Sequence, residues 1–98
     1  MTYDELKKKY KNKTVSEGWF LLTASDALDL IKYGLGQKME LGIVEGFLKS
    51  AEGAFEPRQE YSSNQFMNLD EEDYKLKTSE LIKSFSNVPD LYFEVFMK

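Results

Sequence analysis

The sequence predicts an α+β domain: a small mixed or antiparallel sheet packed against two or three helices. Three stretches carry that expectation. Residues 91–97 are apolar at every position except Glu94, which suits a strand with both faces largely buried. Residues 24–34 carry apolar side chains at helical spacing behind a Thr23 cap. Residues 71–86 do the same behind a run of acids that favours the positive end of a helix. One domain, 1–98, accommodates all three.

Along the chain, residues 3–11 predict a short helix. Asp4 and Glu5 stand in its first turn, lysines follow, and Tyr3, Leu6 and Tyr10 share a side. Residues 19–22, Trp-Phe-Leu-Leu, fit either a short strand or the start of a buried helical segment. Trp19, the sole tryptophan, is assigned to the core, with a partner anchor as the alternative. In the helix over 24–34, Asp26 lies at the position a capping box reserves for an acid. Ala24, Ala27, Leu28, Ile31 and Leu35 make its inner stripe. Gly34 or Gly36 is expected to stop it in the left-handed conformation.

Residues 38–50 suit a strand near 40–48 better than a helix. Gly42 and Gly46 would each cost about 1 kcal/mol inside a helix. In the strand reading the backbone bends near Gly46. Pro57 marks a boundary, and residues 58–66 are expected to form an extended loop, with a short strand at one end as the alternative. In the last helix Tyr74, Thr78, Leu81, Ile82 and Phe85 face inward. Pro89 and Asp90 break the chain before the final strand, which is placed in the interior of the sheet. The expected core is Trp19, Leu22, Leu28, Ile31, Ile43, Phe47, Leu81, Phe85, Phe93 and Val95.

Composition narrows the function. With no cysteine there is neither a disulfide nor a thiolate site, and with no histidine the usual neutral-pH acid–base group is missing. Cys–His and Ser–His–Asp chemistry are excluded within the chain. No cofactor loop or oxyanion motif is present, and the acids at 70–73 lack the alternation and mid-loop glycine of a calcium loop. The expectation is therefore a protein that is not an enzyme, with no catalytic residues, no cofactor and no metal. No apolar run approaches the ~20 residues of a membrane span, and residues 1–5 show no apolar signal region. A cytoplasmic location without membrane contact is expected.

The net charge is −4. Residues 40–73 hold nine acids against Lys49 and Arg58 alone, whereas the lysines gather at 7–13. An acidic middle argues against nucleic acid and suits a basic protein partner. The candidate contact residues are Glu56, Arg58, Glu60 and Tyr61, with Tyr61 as aromatic anchor in a charged rim. Asp70, Glu71, Glu72 and Asp73 would steer the partner in. Monomer and dimer both remain compatible with the composition.

The pattern Ala24-x-x-Ala27-Leu28-x-Leu30-Ile31, then residues 41–47, then Phe55-Glu56-Pro57, resembles small bacterial immunity proteins that neutralise a partner toxin. The closing helix and apolar strand are similar to the same group, and the likeness spans about two thirds of the chain. Phe55-Glu56-Pro57 and the acidic start of the last helix also resemble all-helical immunity proteins against tRNA-cutting colicins, but Gly42, Gly46 and the strand-like terminus depart from that bundle. The resemblance implies stoichiometric inhibition of a toxin domain by binding. The alternative is a small structural or accessory protein-interaction domain of phage or bacterial origin.

Overall fold

The computed structural model describes residues 1–98 and is an α+β domain. Helix α1 spans Tyr3–Lys9 and runs into a 3-10 turn at Lys11–Lys13. Helix α2 spans Ala24–Gly36. Strands β1 (Leu41–Lys49) and β2 (Phe55–Arg58) form a hairpin. Two 3-10 turns, Gln59–Tyr61 and Ser63–Phe66, lead to helix α3 (Glu71–Ser84), and β3 (Leu91–Met97) closes the chain. The sheet is antiparallel throughout, in the order β2-β1-β3.

Each helix starts where a side chain can satisfy free backbone donors. Thr2 and Glu5 form a reciprocal capping box on α1. Thr23 accepts from the Asp26 N–H on α2, and Asp70 accepts from the Asp73 N–H on α3. The β1–β2 turn is closed by the Ser50 N–H donating to the Ala54 carbonyl at 2.7 Å, and Gly53 supplies the one glycine with positive φ, +87°.

Strand β3 matches its expected bounds. Leu91, Phe93, Val95 and Met97 are buried on one face, under α2 and α3, while Tyr92, Glu94 and Phe96 lie on the other. Its place in the sheet differs from the expectation: β1 is the central strand, and β3 lies at one end of the order. Beyond β3 only Leu22 pairs with it, exchanging both backbone hydrogen bonds with Phe93 at 2.9 and 2.7 Å. The Tyr3 hydroxyl donates to the Val95 carbonyl farther along, at 2.5 Å. Burial of a strand's faces does not require strands on both its edges. Here one bridge and one phenol shield the outer edge. Of the two readings of residues 19–22, short strand or start of a buried helical segment, the structure holds a single bridge at Leu22.

Three further expectations are corrected. Neither Gly34 nor Gly36 is left-handed; Lys38 makes that turn, with φ 64°. Gly34 instead permits close packing, since a Cβ there would lie 2.5 Å from the Met97 sulfur. The irregularity in β1 falls between Leu41 and Val44, not at Gly46. This β-bulge inserts one residue between Leu41 and Val44. Val44 faces the core, whereas Ile43 falls on the same side as Glu45 and Phe47, away from the helices, and is exposed. Finally, residues 55–58 are a strand despite Pro57. A proline is tolerated because β2 is the outer strand of the sheet.

The core joins Leu6 of α1 and Tyr10 just after it, Ala27, Leu30 and Ile31 of α2, Ile82 of α3, and Val44, Phe93, Val95 and Met97 of the sheet. From the expected core, Leu22, Ile31, Phe47, Leu81, Phe93 and Val95 are buried, and Leu28 and Phe85 are half-buried. Trp19 and Ile43 are exposed, at 38% and 36%. Trp19 sits against Phe47 on the face of the sheet away from α2 and α3, with ring centroids 4.7 Å apart.

Two substitutions test this packing in opposite directions. Phe93 is fully buried, so Phe93→Ala is expected to lower unfolding free energy in urea by about 3–5 kcal/mol. The Thr78 hydroxyl is fully buried and has no hydrogen-bond partner. Thr78→Val keeps the shape and removes the unsatisfied group, so it is expected to raise stability by about 1 kcal/mol in the same titration.

Candidate functional site

The surface features worth weighing as sites grow out of β1. Strand β2 accompanies β1 only as far as Gly46, opposite Arg58. Past that point two hydroxyls take the place of a neighbouring strand. The Val44 N–H donates to Ser63 Oγ at 2.9 Å, and the Tyr74 hydroxyl donates to the Gly42 carbonyl at 2.7 Å. Ser63 and Tyr74 hydroxyls meet at 2.6 Å. Since the Tyr74 proton is on Gly42, Ser63 donates to Tyr74. Both residues are buried, so the relay satisfies backbone groups that would otherwise be orphaned.

This arrangement shapes a groove of about 340 Å³ at the bulged end of β1. Leu41, Gly42 and Ile43 of β1, Met67 and Leu69 of the segment before α3, Tyr74 of α3 and Phe96 of β3 line it. Four large apolar side chains are open to solvent here: Ile43 at 36%, Met67 at 55%, Leu69 at 41% and Phe96 at 47%. They make up half of the eight large hydrophobic residues the molecule exposes, so the exposure is concentrated, not scattered. Gly42 keeps the floor low, because a Cβ would meet the Phe96 ring at 2.6 Å. Glu71 and Lys98 stand at the rim.

The structure divides the residues expected to form a contact surface into two groups. Glu56 and Arg58 lie on β2, beside the Gly46–Leu48 end of β1, and pair weakly with each other at 3.5 Å. Glu60 follows, exposed, in the 3-10 turn. Tyr61 is half-buried. Its Cβ occupies the space over Gly46, and its ring stands edge-on to Phe85 at 4.7 Å. That packing ties the ring to the fold. The second group, Asp70 to Asp73, opens α3 by the other end of β1. Within it Asp70 caps the helix, Glu72 bonds Lys75 at 2.7 Å, and Glu71 borders the apolar groove. Glu72 is the first cause holding the Lys75 ammonium above its usual range. The structure does not bring the two groups together around one partner-sized pocket.

Sequence reasoning did not find the groove itself. Met67 and Leu69 sit in a stretch with no secondary-structure period, and Phe96 belongs to the strand whose apolar character signals burial. The available hint was Met67 and Leu69 standing immediately before four acids.

A second groove, about 490 Å³, lies between α1 and residues 14–20. Lys7, Lys8 and Lys11 line it together with Asp4, Glu17 and Trp19, and Lys7 is already within 3.7 Å of Asp4. The acids in it leave little net positive charge for a phosphate backbone. No three carboxylates converge as ligands for a metal ion. No helix is long and apolar enough to cross a membrane.

No known family model, curated protein or solved structure matches this chain.

The Tyr3 phenol gives a pH signature for the way α1 seals the sheet. Burial, and secondarily the charge of Glu94, push its pKa up to about 12; burial and Asp29 push Tyr10 up as well. An unfolded tyrosine ionises near ~10. A folded pKa above the unfolded one means the stabilisation is fully present below about pH 10 and is lost as pH rises towards 12. Thermal melts between pH 8 and 12 are expected to show a flat midpoint that falls above about pH 10. Tyr3→Phe should make that fall shallower.

Proposed function

We propose that the protein works by binding, in the manner of an immunity protein: it blocks a basic bacterial toxin stoichiometrically in the cytoplasm and performs no chemistry. The observation that carries the binding reading is the apolar groove bordered by the acidic start of α3. An exposed cluster of Ile43, Met67, Leu69 and Phe96 has a stability and solubility cost that a docking surface accounts for. Glu71, Glu72 and Asp73 beside it favour a basic partner and speed its approach. The toxin reading rests on the resemblance of residues 24–31, 41–47 and 55–57 to small immunity proteins. The lack of histidine and cysteine agrees with inhibition by occupancy.

The decisive experiment pairs the protein with the product of the gene beside its own. Calorimetry is expected to give one-to-one binding of about micromolar strength or better, and co-expression is expected to rescue cells from that product. Binding no tighter than about millimolar, or killing that co-expression leaves unchanged, overturns the proposal. Within such a complex, Met67→Ser with Leu69→Ser should weaken affinity at least about tenfold. Glu71→Gln, Glu72→Gln and Asp73→Asn together, with the Asp70 cap left intact, should lower the on-rate more than they raise the off-rate, and added salt should shrink the difference.

A further inference from the structure

The sheet face away from α2 and α3 holds a second surface, which adjoins the groove at Phe96. At one end Trp19 packs on Phe47, and its ring stands edge-on to Phe55 at 6.2 Å; Phe55 in turn meets Tyr92 at 6.1 Å. At the other end Phe96 meets Tyr3 at 5.0 Å. Between them Glu45 of β1 and Glu94 of β3 are direct cross-strand partners. Both are half-exposed, and neither is in an ion pair.

That placement is costly by itself, because like charges directly opposite on a sheet repel. The Trp19 indole N–H donates to Glu94 Oε2 at 2.7 Å and so orients one carboxylate without neutralising it. The same face already takes the chain's own cations against its rings. Lys7 lies 4.7 Å from the Tyr3 ring centre and Lys49 5.9 Å from that of Phe55. The two central carboxylates receive none.

We propose that this face binds an arginine side chain presented by a basic protein partner, with the guanidinium bridging Glu45 and Glu94 beside Trp19. Arginine fits this chemistry better than lysine. Its planar fork can meet two carboxylates at once, and its flat face stacks on aromatic rings. The site adds a specificity element to the proposed binding function, but its chemistry does not depend on the partner being a toxin.

The test uses the whole protein and acetyl-arginine methylamide as probe. The indole N–H resonance of the sole tryptophan, Trp19, reports on the site directly. The expected result is a saturable shift with a dissociation constant of about millimolar, and no saturable shift with the uncharged citrulline analogue. Glu45→Gln should weaken binding at least about tenfold while its thermal midpoint stays level or rises, since the like-charge pair is gone. Glu94→Gln, which keeps an oxygen for the indole, should do the same and serves if the first variant misfolds. Equal shifts with citrulline, no saturation up to the solubility limit, or undiminished binding in both variants overturns the proposal. A Trp19 shift that instead follows protein concentration, with a doubled mass in sedimentation, makes the face a self-association surface and also overturns it. Failure here leaves the toxin proposal standing, and failure of the toxin experiment leaves arginine binding to be judged on its own data.

Discussion

The relay from Val44 through Ser63 and Tyr74 to Gly42 is the constraint on which the rest of the structure depends. A three-stranded sheet has a central strand that needs partners on both edges, and β2 is only four residues long. The exposed length of β1 past Gly46 would present unpaired backbone groups in a buried place. Ser63 and Tyr74 satisfy them from two different elements, a 3-10 turn and α3, and thereby pin both to the sheet. The bulge between Leu41 and Val44 lies at the same stretch. Irregular backbone is stable there because side-chain hydroxyls, unlike a strand, impose no two-residue repeat.

Close approach is the second theme, and three glycines express it. At Gly42 the Phe96 ring comes down on the backbone, at Gly46 the Tyr61 Cβ does, and at Gly34 the Met97 sulfur does. Glycine inside a strand or helix weakens it by about 0.5–1 kcal/mol. Each loss is offset by dispersion contacts of a large side chain that could not otherwise fit. The glycines of β1 are therefore sockets. This is why the expectation of a bend at Gly46 failed: an empty Cβ position in a strand signals either a bend or a neighbour, and the sequence alone does not say which.

What was legible in the sequence follows from the range of the interactions involved. Helices α2 and α3 and strand β3 were readable because caps and composition are local: Thr23, Asp70 and the near-unbroken run of branched and aromatic residues from Leu91 to Met97 need no distant partner. Strand β2 was hidden, since its Pro57 argues against a strand until the outer position is known. Val44 took the core place expected of Ile43 because both faces of β1 carry apolar residues, and alternation alone does not say which face the helices cover. Trp19 left the core because its polar indole edge found Glu94, 75 positions away in sequence. Among the candidate site residues, the acids of α3 were visible as a run. That Glu71 alone borders the groove, while Asp70 caps and Glu72 pairs with Lys75, depends on tertiary geometry.

Two kinds of departure from local rules stand in contrast in this chain. Ser63 and Tyr74 are buried polar residues, yet their hydroxyls are fully engaged, so they specify the fold without weakening it. Glu45 faces Glu94 with no cation between them, the Trp19 indole being the one partner of Glu94, while Met67 and Leu69 stand open to solvent and Phe96 stays exposed beside Tyr3. A sequence shaped only for stability would replace a facing acid with an amide and an exposed methionine with a polar residue, at little structural difficulty. Phe96 links the two surfaces, since it lines the groove and belongs to the same side of β3 as Glu94. The two surfaces thus adjoin at Phe96. Local cost gathered on one connected surface is the pattern expected where binding, rather than folding, sets the choice of side chain.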